Sequence, residues 1–238
     1  MPPSYYCHIN VLNFYNRIKC MPDSNIINNV FSHLDGLHNC GFRTWVSKVE
    51  DLCTKYSLHG NDFNNVHLTN KLVKIKVIDY HKLQWLRELN NCIKYPILRT
   101  YRMYKHHFEI EPHLKFVKNH KHRRALSKLR CSSHILEIER GRYSRPKTPI
   151  MQRLCPGCNI LENEIHFITT CKLYHADRCN LYTYVLNEYP AFLSMTDLEK
   201  FLYLLGSRNE HILCQLAKFV YNAFHIRNSY SEQEGILT

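Results

Sequence analysis

Leu154-Cys-Pro-Gly-Cys-Asn-Ile-Leu-Glu-Asn-Glu-Ile-His-Phe-Ile-Thr-Thr-Cys171 is the stretch that decides how the chain is organised. Cys155, Cys158, His166 and Cys171 fall in it as C-x2-C-x7-H-x4-C. Zinc takes four soft or borderline ligands at tetrahedral corners. A Cys-x-x-Cys turn brings two thiolates to one side of such an ion, and Pro156-Gly157 suits that tight turn, a zinc knuckle. His166 and Cys171 lie about one helical turn apart, so a helix spanning Ile165–Lys172 is expected to supply the other two ligands. With 11 Cys and 16 His in the chain, the spacing alone is suggestive only. His175 and Cys179 stand as substitutes for the fourth ligand. A competing reading makes the cysteines buried small apolar side chains, with His166 packed beside Phe167.

Directly before this stretch the charge is concentrated. Residues 115–153 hold twelve Lys or Arg against Glu137 and Glu139, a net of +10 out of +12 for the whole chain. Such a balance argues for a polyanionic partner. Arg123, Arg124, Lys128, Arg130, Arg140, Arg142, Arg145 and Lys147 are the candidate phosphate contacts, with Tyr143 placed to stack on a base. Pro146 and Pro149 exclude a helix interior, so Gly141–Pro149 is expected as an extended basic loop. A basic surface beside a knuckle fits RNA or single-stranded DNA, since knuckles bind single strands and RNA loops. The alternative is a solvated helix face with an exposed loop.

Elsewhere the pattern is helical. Ser24 reads as an N-cap before Ile26, Ile27, Val30, Phe31, Leu34 and Leu37, and Gly41 ends that segment. A second helix is expected from Thr44 to near Gly60 and a third over 66–89, closed by Pro96. The spacing over 98–110 fits a strand or an irregular helix equally. One basic helix is expected after Pro112, carrying Leu114, Val117, Leu126 and Leu129. Further helices are predicted over 176–189 and 196–205, with Thr196 and Glu199 spaced as a capping box. Ser207 and Glu210 repeat that spacing before Ile212, Leu216, Phe219, Val220 and Phe224, and the polar tail after Asn228 reads as frayed.

At 45% hydrophobic and 22% charged residues the chain can bury a core. No apolar run approaches a membrane span, and the start, Met1-Pro-Pro-Ser-Tyr-Tyr-Cys-His8, is not a secretory signal. An odd cysteine count without such a signal points to reduced thiols or metal ligands, hence to the nucleus or cytoplasm. There is no paired-Asp turn for two-metal chemistry, no Gly-rich phosphate loop, no Gly-x-Ser-x-Gly and no His-Glu-x-x-His, so no self-contained enzyme is expected.

Three segments together resemble the C-terminal end of LINE-type (non-LTR) retrotransposon reverse transcriptases: Leu126–Pro149, with Leu-x-Lys-x-Arg-x-x-x-His-x-Leu-x-Ile-Glu-x-Gly-Arg-Tyr143 at its heart, Arg153–Cys158, and Glu164–Cys171. Lys218–Arg227 is similar to the helix that closes such polyproteins, and residues 25–58, with Gly41-Phe-Arg-Thr-Trp45, resemble the helical region after the polymerase thumb. The resemblance implies zinc on Cys155, Cys158, His166 and Cys171, and places Arg130, His134, Arg142, Tyr143 and Arg145 in the family's basic motif. It also implies a nucleic-acid-binding tail that holds template RNA or target DNA, with the polymerase supplied by a preceding part of a longer polyprotein.

The expectation is a mostly α protein: a helical module over 1–110 and a basic helical module over 111–238 with a small zinc knuckle and an extended basic loop. Its rivals are a metal-free helical protein-interaction module, a subunit active only with a separate polymerase domain, and a degenerate, inactive copy.

Overall fold

Capping side chains and apolar periodicity set the local structure of the first part. Asn25 accepts from the Ile27 N–H at 2.9 Å, so Asn25 and not Ser24 starts the helix Ile26–Asn39 (α2), which follows Pro3–Lys19 (α1). Asn25 is the last extended residue before the helix (φ −78°, ψ 129°), the position from which a cap side chain reaches the N2 amide, and Ser24 stands one residue too early. Thr44 and Ser47 close a capping box on Trp45–Tyr56 (α3), and Val66–Asn90 (α4) follows. The computed structural model describes residues 3–63 and 65–235; Met1, Pro2 and the last three residues of the tail lie outside them.

Those residues divide into two compact units, Met1–Glu88 and Leu89–Thr238. The segment 89–110, grouped by sequence with the first module, therefore belongs to the second unit. In the first unit Leu12, Val49, Leu52, Tyr56, Val73 and Val77 form the main core, and Ile18, Phe31 and Val46 a smaller one. Asn16 is buried there and donates to the Val66 carbonyl and to Asn70 Oδ1, both at 3.2 Å.

Among the described residues the second unit is helices and turns with one isolated antiparallel β-bridge, in keeping with a mostly α chain. Its helices are Arg99–Tyr104 (α5), Pro112–Phe116 (α6), His120–Arg130 (α7), Glu137–Tyr143 (α8), Glu164–Thr169 (α9), His175–Glu188 (α10), Asp197–Gly206 (α11) and Glu210–Gly235 (α12). No described helix is long and apolar enough to cross a membrane. α12 lies along α7 and α10, burying Leu213, Leu216 and Val220 against Leu126, Leu129, Leu181 and Val185.

One open reading is resolved and three local expectations are corrected. The open stretch after Leu98 is a short helix, α5. The single basic helix is two, because Asn119 Oδ1 accepts from the Lys121 and His122 amides and starts α7 afresh. Gly141, Arg142 and Tyr143 are the last residues of α8, whose first turn carries Glu137 and Glu139, so the extended loop begins only at Ser144. Acidic residues at a helix start and arginines at its end suit the helix dipole. Lastly Asn209, not a Ser207–Glu210 box, caps α12, and that helix runs through the tail to Gly235.

A buried arginine ties α7 to the rest. Arg130 pairs with Glu111, donates to the Leu205 carbonyl and to His113 Nδ1 at 3.2 Å, and lies over the Tyr104 ring at 5.0 Å. His113 Nε2 meets Ser127 Oγ at 2.9 Å, which completes the contacts of a neutral ring. Burial and the Arg130 charge push His113 down to about 4, against the opposing pull of Glu111. Its folded value lies below the ordinary 6.5, so between those two pH values the unfolded chain holds more protons. Stability from this group is complete above pH ~6.5 and falls as pH drops towards ~4, by at most about 1.4 kcal/mol per pH unit. Urea denaturation of the unmodified chain and of His113→Gln at pH 7 and pH 5 is expected to show a shallower loss in the variant.

Candidate metal centre and the groove beside it

A short two-strand turn positions the first two cysteines. Leu154 and Leu161 form an antiparallel bridge, the Cys155 N–H donates to the Ile160 carbonyl at 2.7 Å, and the Glu162 N–H to the Arg153 carbonyl at 2.9 Å. Asn159 takes the left-handed conformation (φ 55°) that closes the turn. A Cβ on Gly157 would lie 2.5 Å from the Leu173 side chain, so only glycine lets residues 172–174 pack this closely.

α9 and the residues after it bring the other two. Asn163 caps α9 by accepting from the His166 N–H at 2.8 Å. α9 ends at Thr169, so Cys171 is presented from the turn beyond the helix and not, as spacing predicts, from its last turn. Buried Arg178 holds that turn, donating to the Ile168 carbonyl at 2.8 Å and the Cys171 carbonyl at 2.6 Å.

The ligand atoms of Cys155, Cys158, His166 and Cys171 lie within 4.8 Å of one another, and this group could hold a metal ion. Cys171 Sγ is 3.7 Å from Cys155 Sγ and 3.8 Å from Cys158 Sγ. A tetrahedral ion bound by thiolates at about 2.3 Å separates its sulphurs by about 3.8 Å. His166 Nδ1 meets Thr170 Oγ1 at 3.0 Å, while Nε2 is buried without a hydrogen-bond partner. A proton on Nδ1, donated to Thr170, leaves the Nε2 lone pair for a metal. The Lys172 N–H points at Cys158 Sγ from 3.4 Å, where it stabilises negative charge on sulphur. Hydrogen bonding with Cys171 pulls the Cys155 thiol down to about 4, against burial and with help from His166 and the Gly157 amide. The same bond, with burial, pushes Cys171 up. His175 and Cys179 face each other at 3.5 Å on the exposed face of α10 and lie outside the four-residue group.

The candidate phosphate contacts separate into two sets. Arg124, Lys128, Arg140, Arg145 and Lys147 are exposed, as is Tyr143 at 67%. Arg123 is half-buried and donates to the Val117 carbonyl; Arg142 is half-buried, 3.1 Å from Glu139. Arg130 is buried in the cluster described above, which corrects its assignment to the surface. Arg153, also in the basic stretch, is buried: it donates to the Ile138 and Thr148 carbonyls, and its side chain passes 2.7 Å from where a Cβ on Gly141 would sit.

Two cavities meet at Lys128. One, about 290 Å³, runs between α7 and α12, with Lys121, Arg124 and Lys128 on one wall and Tyr221, Phe224 and His225 on the other. The second, about 450 Å³, continues past Lys128 and Phe224 to Ser133, His134, Glu139 and Tyr143. The aromatic wall from α12 is absent from the sequence-derived candidates. Its signal was the i, i+3, i+4 spacing of Tyr221, Phe224 and His225, of which only Phe224 stands in the apolar stripe read for this helix.

Beneath the groove lies a network of ion pairs. Glu164 accepts from Arg99 Nη2 on both oxygens, at 2.7 and 2.8 Å, and meets Ser132 Oγ and His134 Nε2, each at 3.1 Å. Burial works to raise its carboxyl and is overcome by His134 and Arg99, leaving it well below the usual carboxylate range. Glu162 takes Arg227 of α12 at 2.7 Å and the Glu137 N–H at 2.7 Å.

Comparison with protein-family models, curated proteins and solved structures returns no match.

Thr170→Val removes the acceptor that orients His166. It is expected to lower the affinity for added Co²⁺ by about ten- to a hundredfold while leaving the three thiolates in place. Titration followed by thiolate-to-cobalt absorption checks this.

Proposed function

We propose that the second unit is a zinc-organised module that binds RNA or single-stranded DNA along the groove between α7 and α12. The groove itself carries the proposal: exposed Lys121, Arg124 and Lys128 face Tyr221, Phe224 and His225 across one continuous trough. Cations on one wall track phosphates and aromatic rings on the other stack on bases, the combination single strands use. Arg140, Arg145 and Lys147 extend the positive surface. Zinc is the ion favoured by three thiolates and an imidazole at tetrahedral spacing. With all four positions filled by protein it is structural, and no open position remains for metal catalysis.

The resemblance to the C-terminal end of LINE-type reverse transcriptases supports the same reading. The module then serves as the tail that holds template RNA or target DNA, in the nucleus or cytoplasm, for a polymerase domain of a longer polyprotein. In this reading the shared run from Lys128 to Tyr143 does two jobs: Arg130 and His134 hold the module together, while Lys128 and Tyr143 line the groove.

Elemental analysis of the purified chain is expected to find about one zinc per molecule. Cys155→Ser should lose it and loosen the second unit. Absence of zinc after preparation in zinc-replete medium returns the four residues to the metal-free interaction module. For binding, Arg124→Ala with Lys128→Ala is expected to weaken an RNA oligomer of any sequence and to flatten the log–log salt slope by about 0.7 per lost contact. Unchanged affinity and slope in anisotropy titrations would remove the groove as the contact surface.

A further inference from the structure

Two more side chains of metal-ligand type stand together outside the four-residue group. His175 opens α10 and Cys179 follows four residues later, so both fall on one face of that helix. Both are exposed, and His175 Nε2 faces Cys179 Sγ at 3.5 Å. Among the described residues no other hydrogen bond or ion pair engages either side chain. The backbone beneath them is well held. Thr183 Oγ1 donates to the Cys179 carbonyl at 3.0 Å, while Leu181 and Val185 anchor another face of α10 in the core.

The separation of the two atoms is what an ion requires. Zinc bound by a thiolate at about 2.3 Å and an imidazole nitrogen at about 2.05 Å holds the two ligand atoms about 3.5–3.6 Å apart at a tetrahedral angle. A thiol–imidazole hydrogen bond spans the same distance, so an ion replaces the shared proton without moving either side chain. Residues four apart on one helical face are also the pair with which helices present two zinc ligands. The donor set selects the ion: a thiolate with an imidazole suits zinc and similar borderline metals, whereas magnesium and calcium take oxygen.

From this we infer that His175 and Cys179 form a second metal site, open to solvent, for a borderline divalent ion such as zinc. As the metal–sulphur bond forms, the Cys179 thiol proton leaves to water. Two protein ligands leave the remaining tetrahedral positions to water, so this ion exchanges readily, whereas the four-residue group encloses its own. The site stands apart from the groove and needs no ion in the four-residue group.

The test labels the reduced full chain with iodoacetamide and follows each cysteine by peptide mass spectrometry, with Zn²⁺ titrated to about 1 mM. Where free Zn²⁺ reaches about ten times the dissociation constant of the pair, Cys179 is expected to label about tenfold more slowly. Cys92, exposed and turned to the Asn90 carbonyl, is the control whose rate should not change. His175→Ala should abolish the protection of Cys179, and His175→Gln serves should that variant unfold. Cys155, read in the same digests, reports the four-residue group separately, so failure of one site is not mistaken for failure of the other. Labelling of Cys179 at one rate across the titration overturns the second site. Protection that survives the loss of His175 overturns it as well, because it shows an adventitious ion on a single thiol.

Discussion

Three sulphur atoms and an imidazole nitrogen gathered within 4.8 Å set the terms for the whole second unit. Thiolates so close repel one another once charged, and thiols so close gain little from packing alone. The short turn at 155–160, the six-residue α9 and the arginine that grips the Cys171 carbonyl make sense as devices for holding these four atoms at tetrahedral spacing. Gly157 fits the same constraint, because the turn must lie flat on Leu173 for Cys158 to reach Cys171. The metal-free alternative explains the burial of Cys155 and Cys171 but not why His166 turns a buried, unpaired Nε2 into their midst.

Positive charge is used in two ways that a count cannot separate. Arg130, Arg153, Arg178 and Arg227 are buried, and each reaches backbone carbonyls or carboxylates distant in sequence. Arginine suits this work because its planar fork serves several acceptors at once and stays charged when buried. Breaking such a buried pair from one side leaves an uncompensated charge, at a cost of about 3–5 kcal/mol. The exposed remainder, from Lys115 to Lys147, is what any polyanion meets, and its density is therefore lower than the run of twelve cations implies.

Legibility followed the range of the interactions. α3 and α11 were readable from cap and apolar spacing, since Thr44 and Thr196 act within their own first turn. The four clustered residues were readable because ligand chemistry restricts their type and spacing. Arg130 was misread as surface because its partners, Glu111 and the Leu205 carbonyl, lie 19 and 75 residues away. Gly141, Arg142 and Tyr143, the end of α8, read as loop because Pro146 and Pro149 were weighted over the Glu137–Arg140 and Glu139–Arg142 pairs that fit a helix at i, i+3. The aromatic wall of the groove was invisible because a ring facing a trough and a ring facing a core share the same helical spacing.

The metal-ligand turn and the groove are mechanically continuous. The Cys155 amide is bonded to Ile160, and one step along the same paired strands Glu162 is bonded to the Arg153 carbonyl. The Glu162 carboxylate then takes Arg227 from α12, which also reaches Glu137 at the start of α8. Arg227 lies three residues beyond Phe224, one turn along the helix that forms the aromatic wall. A salt bridge this buried, with both partners at 2% exposure or less, persists only while its surroundings hold it in register. An ion that fixes the turn therefore also fixes the height of α12 against α7, and with it the width of the trough. A metal held at this turn would act on the trough through Glu162 and Arg227, without lining it.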